Sequence, residues 1–377
     1  MIYLDNAATT KPCDECLKIY DEINKIYYFN PSSGYSASFN LNKQINEIKK
    51  DFIKYLGGIE GDNIIFTSGA TESNNIAILG SCTNKQKKYL FSVGEHPSVY
   101  NCACELRNKG YNIEFIPLQR NGQIDYEKFE KMCTSDVCFV STMLVSNETG
   151  AINDIDKIRN IINNKAKDAI FHVDAVQGFG KIKFSALKSK INLCSISAHK
   201  IEGIKGIGGL YISKNTRIKN INYGGGQENN LRSGTINAAG IFSFHTSATI
   251  AIKNLEENYK KLTELKEYLL KNLKKQIDNN KFIIVSEDIN SPYIISLLFK
   301  GKRGETIMRY LDSKGIYIST GSACSTNKIG NRILENMGYK KDEIMGAVRI
   351  SLNKNNTKEE LDVFINNLSN YFQEINT

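Results

Sequence analysis

The hydrophobic positions of this chain change their period in a regular way. Between about residues 60 and 215, short runs rich in β-branched and aromatic residues alternate with segments of helical spacing; Ile64-Ile65-Phe66-Thr67, Val137 to Thr142 and Ile170 to Val173 are three of the runs. Parallel strands need a crossover between them and helices supply it, so the alternation predicts α/β layering around a mostly parallel sheet. Further on, Leu255, Tyr259, Leu262, Leu265, Leu269 and Leu273 recur at helical spacing. Glu256 and Lys260, Glu257 and Lys261, and Glu267 and Lys271 stand four residues apart on the opposite side, which predicts a long amphipathic helix. That helix marks the crossing into a second region. Strand-like runs at 282–285, 293–299 and 348–352, then a helix from about Lys358, give this region an α+β character.

Composition narrows the class of protein. Hydrophobic residues make up 41% and charged residues 24% of 377, an ordinary globular balance in a chain too long for one core. The longest apolar stretch, Ala238 to Ile252, is interrupted by Ser243, His245, Thr246 and Ser247 and is too short to cross a bilayer. Asp5 follows Met1-Ile2-Tyr3-Leu4 directly, with no basic region leading into an apolar run. A cytoplasmic protein without membrane contact is expected. The net charge of +9 comes from scattered lysines with no block of arginines interleaved with aromatics, so no direct nucleic-acid binding is expected. Nine cysteines without a secretion signal predict free thiols. Cys13-Asp14-Glu15-Cys16 lacks the second pair or nearby histidine of a zinc site and reads as a helix start; no metal site is expected.

Candidate chemistry centres on Ser197-Ala198-His199-Lys200, preceded by Phe171-His172-Val173-Asp174-Ala175-Val176-Gln177. An aldehyde cofactor needs a lysine amine for a Schiff base, and Lys200 lies in a turn carrying a hydroxyl and an imidazole. Pyridoxal phosphate withdraws electrons effectively only while its pyridine nitrogen stays protonated, and a carboxylate at a buried strand end, Asp174, suits that task. Gln177 is placed to reach the ring hydroxyl. Thr67-Ser68-Gly69-Ala70-Thr71-Glu72-Ser73-Asn74-Asn75 follows a strand and opens a helix, where backbone N–H groups and the Thr71 hydroxyl can approach a phosphate. Singly, Lys200 reads as a surface lysine, Asp174 as a helix cap and the glycine turn as one of many that bind nothing.

In combination these segments carry a resemblance. With Gly94-Glu95-His96, Ser146-Asn147-Glu148-Thr149-Gly150 and Arg232-Ser233-Gly234-Thr235, and from Tyr3-Leu4-Asp5-Asn6-Ala7-Ala8-Thr9-Thr10 to the C-terminal helix, the chain resembles the class V aminotransferase superfamily. Within it the chain is similar to the cysteine desulfurases of the nitrogen-fixation and iron–sulfur-cluster type. The resemblance implies the fold type I of pyridoxal-phosphate-dependent transferases, a large domain with a mainly parallel mixed sheet plus a smaller α+β domain. The large domain would span residues 13–254 and the small one 1–12 with 255–377. It implies that His96 stacks on the pyridine ring and shuttles protons, that Asn147 and Gln177 flank the ring oxygen, and that Ala70, Thr71, Ser197 and His199 hold the phosphate. Thr235 would reach the phosphate of the neighbouring subunit in a homodimer. Arg349 would fork onto the substrate carboxylate together with Asn147; alone it reads as a strand-edge arginine paired with an acid.

The stretch Ser319-Thr320-Gly321-Ser322-Ala323-Cys324-Ser325-Thr326 is small, polar and unpatterned, a loop composition. By the resemblance, a loop at about 319–331 carries Cys324 as the nucleophile that takes sulfur from L-cysteine, leaving alanine and a persulfide. An acceptor or scaffold protein would then receive the sulfur for iron–sulfur cluster assembly or for tRNA or cofactor thiolation, with transient iron ligation through Cys324 left open. Tyr35 stands where the family pattern has a histidine, and Ile201-Glu202-Gly203-Ile204-Lys205-Gly206 and residues after Cys324 also diverge. Selenocysteine lyase activity, another class V lyase or aminotransferase activity, and a non-catalytic sulfur-relay scaffold are the alternatives.

Overall fold

The structure is a computed structural model describing residues 1–320 and 332–374. After a two-residue strand β1 (Ile2–Tyr3) come helices α1 (Asp14–Ile26) and α2 (Ser36–Tyr55), then the expected alternation. It runs β2 (Asn63–Thr67), α3 (Ala70–Ser81), β3 (Lys88–Ser92), α4 (Pro97–Asn108), β4 (Asn112–Ile116), α5 (Tyr126–Met132), β5 (Val137–Met143), α6 (Ile155–Lys165), β6 (Ile170–Asp174), β7 (Leu193–Ser197) and β8 (Gly208–Ile212). These seven strands form one sheet in the order β2-β8-β7-β6-β5-β3-β4. Only β8 runs against its neighbours, so the sheet is mixed but mainly parallel, as the sequence led us to expect.

Strand pleating explains the two apolar layers around this sheet. Ile64 and Phe66 point into one core with Leu41, Phe52 and Phe244, whereas Ile65 points into the other with Ile76, Val99 and Leu106. Helices therefore cover both faces. Phe52 sits at the centre of the first core, its ring 4.7 Å from Phe244 and 5.4 Å from Phe66.

The apolar stretch at 238–252 becomes α7 (Ala238–Lys253), followed by α8 (Leu255–Gln276). A further core gathers α8, β9 (Phe282–Val285), β10 (Ile294–Phe299), α9 (Gly304–Ser313), β11 (Ile316–Tyr317), β12 (Ala347–Ser351) and α12 (Lys358–Glu374). Two short helices, Arg332–Asn336 and Lys341–Ile344, precede β12. The antiparallel order is β12-β10-β9, and β1 pairs in parallel with β11. Leu4 and Ala7 belong to this core, so the first residues of the chain pack with its last third.

Three expectations need correction. Tyr259 is not part of the buried stripe of α8; Leu270 is, because the stripe drifts around a straight helix of 3.6 residues per turn. The charges of α8 also look outward along other lines: Glu256 pairs with Lys183 at 2.7 Å, and Lys261 donates to the carbonyl of Lys354. Finally, Cys13 and Cys16 form a disulfide, whereas Cys82, Cys102, Cys104, Cys133, Cys138 and Cys194 are free thiols. The helix start that the sequence predicts there is itself the reason: one turn brings the two Cα atoms to 5.2 Å, within disulfide reach.

One close approach ties the sheet to the turn before α3. A Cβ on Gly208 would lie 2.8 Å from the Gly69 backbone and 2.8 Å from the Ile196 carbonyl oxygen, and none of these backbone atoms can swing away. Gly208→Ala is therefore expected to destabilise the fold by about 1–3 kcal/mol in denaturant unfolding, the usual range for overpacking a filled site. An unchanged midpoint would mean that the Gly69 turn yields freely.

Candidate active site

The carboxyl ends of β5, β6 and β7, the amino ends of α3 and α4, the segment 7–9 and Arg349 of β12 surround a cavity of about 620 Å³. Strand ends in a parallel sheet are where side chains from separate crossovers can meet. Asp174 closes β6 and is nearly buried at 4% exposure. Its Oδ1 accepts from the Val176 N–H at 3.1 Å and its Oδ2 from the Asn74 amide at 2.8 Å. The same Asn74 nitrogen donates to Ser98 Oγ at 2.9 Å, and Ser98 Oγ lies 2.8 Å from His96 Nδ1. Burial lowers the pKa of His96; Lys200 and Arg332 add to this, against Asp174 and Glu148.

Lys200 follows β7 in a single 3-10 turn, and its Nζ donates to the Ala7 and Ala8 carbonyls, both at 2.7 Å. Burial pushes its ammonium down to about 8, helped by Arg349 and opposed by Asp174 and Asp5. Beside it, His199 Nδ1 meets Thr9 Oγ1 at 3.2 Å, and burial with the nearby lysines brings it to about 4. Gln177 donates from Nε2 to the Ala7 carbonyl at 2.9 Å and accepts at Oε1 from Lys181 at 2.8 Å. Lys181 is buried and pushed down to about 7 by desolvation, with Lys200 and Arg349 contributing.

At the amino end of α3, Ser68, Gly69, Ala70 and Thr71 line the cavity, and a Cβ on Gly69 would meet nothing within 4 Å, so the turn is open. Burial would raise the carboxyl of Glu72, but hydrogen bonds from Arg232 and the Ser68 N–H outweigh it and hold it below the ordinary range. On the far wall, Arg349 bonds to Asp5 Oδ1 at 2.8 Å and to the Asn147 carbonyl at 2.9 Å, and its Nε is buried without a partner. Asn147 Oδ1 and Ser197 Oγ are likewise buried and unpartnered.

The cavity thus brings together Ala70, Thr71, His96, Asn147, Asp174, Gln177, Ser197, His199, Lys200 and Arg349. Thr235 lies outside it, exposed in an adjoining hollow with Ser68, Gly206 and Arg232. Cys324 falls outside the described residues. Sequence reasoning missed Asn74, Ser98, Lys181 and Asp5. The signals were present: Asn74 is one turn beyond Ala70, Ser98 is two residues beyond His96, and Lys181 is four beyond Gln177. The set fits pyridoxal phosphate. A lysine amine of lowered basicity, a buried carboxylate, an open helix amino end and unpartnered polar atoms at Asn147 and Ser197 are what its aldehyde, ring nitrogen, phosphate and ring oxygen would engage. Among the described residues, no group of three or more His, Cys, Asp or Glu could hold a metal, and no helix is long and apolar enough to cross a membrane.

Comparison with known proteins agrees with this geometry. The pattern of the aminotransferase class-V family matches residues 2–364. Cysteine desulfurase IscS of Dictyoglomus turgidum is 34% identical over all of this chain and 95% of its own length. Cysteine desulfurase IscS 1 of Archaeoglobus fulgidus is 35% identical over 96% of this chain and 94% of its own. Among solved structures, a NifS-like protein superposes with a TM-score of 0.92 at 33% identity, covering 99% of both chains. Pattern, relatives and superposition all span nearly the full length, and the chain belongs to the aminotransferase class-V family, among its cysteine desulfurases of the IscS and NifS kind.

Proposed function

We propose that this enzyme is a pyridoxal-phosphate-dependent cysteine desulfurase that converts L-cysteine to L-alanine and keeps the sulfur on Cys324. The observation carrying the reading is the meeting of Lys200, Asp174 and Arg349 in one cavity of a chain whose relatives are named cysteine desulfurases. Bound there, pyridoxal phosphate supplies an electron sink for the bonds around the substrate Cα. Lys200 would hold its aldehyde, Asp174 its ring nitrogen, Asn147 and Gln177 its ring oxygen, and Ala70, Thr71, Ser197 and His199 its phosphate. Thr235, exposed beside Ser68, would reach the phosphate of a second copy in a homodimer. The substrate carboxylate would fork onto Arg349, whose Nε has no partner of its own. Lys200, once free, would remove the Cα proton; burial makes its ammonium a stronger acid than an ordinary lysine, so that part of it exists as the amine near neutral pH.

The Cys324 thiolate then attacks the substrate sulfur. A sulfur–sulfur bond forms, the substrate Cβ–S bond breaks, and the protonated three-carbon product is alanine. Both flanks of Cys324 favour this role: Ser319 exchanges backbone hydrogen bonds with Arg349, and Arg332 donates to the carbonyl of Glu95, next to His96. An acceptor or scaffold protein would take the sulfur for iron–sulfur cluster assembly or thiolation. We also propose that residues 13–254 form the large domain, and 1–12 with 255–377 the small one, of a cytoplasmic protein.

Wild-type enzyme with L-cysteine and a reductant should release alanine and sulfide in equal amounts. Cys324→Ala should still bind pyridoxal phosphate but release sulfide roughly 100-fold more slowly or worse, the scale lost with a removed nucleophile. Equal rates in both would sink the role of Cys324 and leave a general lyase. Capture of the aldehyde requires the neutral amine, so the reconstitution rate of cofactor-free protein should rise with pH through a midpoint near the Lys200 value of about 8. A midpoint at the ordinary lysine value, followed by the growth of yellow absorbance, would refute the depressed basicity of Lys200.

A further inference from the structure

His96 is the N-cap of α4, and the N–H of Ser98 in the first turn donates to its Nδ1 at 3.2 Å. A backbone N–H can only donate, so Nδ1 must accept and cannot itself carry a proton. The second contact on Nδ1, Ser98 Oγ at 2.8 Å, then has to be made by the hydroxyl proton. Ser98 Oγ in turn accepts from Asn74 Nδ2 at 2.9 Å. The orientation of the Asn74 amide is fixed by its other contact, 2.8 Å to Oδ2 of Asp174, because a carboxylate accepts and only the NH₂ end can serve it. Asn74 is fully buried, and this orientation leaves its Oδ1 without a partner. The amide is therefore held by the carboxylate even though its own carbonyl goes unsatisfied. Every donor direction in the chain from Asp174 through Asn74 and Ser98 to His96 is thereby determined.

We propose that Asn74 and Ser98 are positioning residues that hold the His96 imidazole as its neutral Nε2–H tautomer, making it a proton donor to whatever occupies the cavity. The inference rests on the assignment of this cavity to pyridoxal phosphate and L-cysteine only in giving that proton a destination. Protonating Nδ1 would set its new N–H against that of Ser98 and displace the Ser98 hydroxyl proton. It would also add a positive charge at the amino end of α4, where the helix dipole disfavours one. The charged groups acting on the ring are Asp174 at the end of β6, Glu148 after β5, Lys200 after β7 and Arg332 of the helix Arg332–Asn336. The two cations oppose a charged imidazole, the two carboxylates favour it, and burial opposes it. Geometry rather than net charge sets the tautomer: the Ser98 N–H requires Nδ1 to accept, and the Asn74–Ser98 side-chain chain adds a second donor in the same direction.

The test is ¹⁵N spectroscopy of histidine-labelled holoenzyme without cysteine, in which the chain's four histidines leave few signals to assign. His96 is identified by its loss in His96→Gln. In wild type, Nδ1 should be bare and Nε2 protonated at neutral pH, with a titration midpoint below that of an ordinary histidine. Ser98→Ala removes the hydroxyl donor that favours the neutral ring, so its midpoint should move up; Ser98→Thr keeps the donor and should restore the wild-type midpoint. Asn74→Ala should move it in the same direction as Ser98→Ala. An Nδ1–H tautomer in wild type overturns the proposal, and so does an unmoved midpoint in Ser98→Ala. Should the variants fail to fold, the wild-type spectrum alone still decides the tautomer. An Nε2–H signal in a protein that makes no alanine from cysteine would keep this inference and remove only the proposed activity.

Discussion

The site depends on four residues near the start of the chain. Asp5 to Ala8 thread between the β12 end and the seven-stranded sheet, and each bonds to one side or both. Asp5 holds Arg349; the Asn6 amide donates to the Ser351 carbonyl and the Ala7 N–H to Ser351 Oγ at 2.8 Å. From its other edge, Ala7 accepts Lys200 and Gln177 through one carbonyl oxygen, and Ala8 accepts Lys200 again. A backbone carbonyl cannot be replaced by side-chain substitution, so Lys200 keeps its reference point on the strap that also holds Arg349 whatever side chains occupy positions 7 and 8. Thr10 continues the same strap by bonding to the His199 carbonyl and the Glu202 N–H, on both sides of Lys200.

Electrostatics follow from that convergence. Lys200 and Arg349 line the cavity with Lys181 behind Gln177; burial lowers the basicity of both lysines, Arg349 lowers it further in both, and Lys200 adds to the effect on Lys181. Lys181 has a neutral partner, Gln177, and the ring of Tyr293 beneath it at 5.4 Å, rather than a carboxylate. Such a cluster is poorly solvated and carries positive charge, which an anion in the cavity would relieve. At the opposite end, Glu72 would repel an anion at the α3 turn if it were free; the bonds from Arg232 tie its charge away from the opening. The same cavity therefore favours an anion at one end and keeps an amine reactive at the other.

Much of this was legible in the sequence, and the residues that escaped show why. The strand and helix pattern gives the layers because burial on both faces of a parallel sheet writes continuous apolar runs, as in Val137 to Val140. Lys200, Asp174 and Gln177 are ordinary singly and stand out only together with the other segments that carry the family resemblance. Asn74 and Ser98 do not, because asparagine and serine at a helix start are ordinary caps, and only three-dimensional contact turns them toward a carboxylate and an imidazole. Asp5 was hidden for a related reason: its partner Arg349 is 344 residues away. The disulfide at Cys13 and Cys16 escaped because a CxxC pair carries the same local pattern whether it caps a helix or is oxidised.

The position of the two edges bordering residues 321–331 adds a last constraint. On one side Ser319 is bridged in antiparallel fashion to Arg349, the residue proposed for the substrate carboxylate. On the other, the Arg332 guanidinium lies 3.6 Å over the Tyr100 ring of α4 and bonds to the Glu95 carbonyl, one residue from His96. Glu95 itself is fully buried, and burial, reinforced by the charge of Asp174, raises its carboxyl well above the ordinary range. Ser319 thus stands at the cavity wall formed by Arg349, and Arg332 at the wall formed by His96. Ser319 is tied to the Arg349 backbone and Arg332 to the Glu95 carbonyl, so a shift of the first edge would disturb Arg349 and a shift of the second would disturb the turn that carries His96.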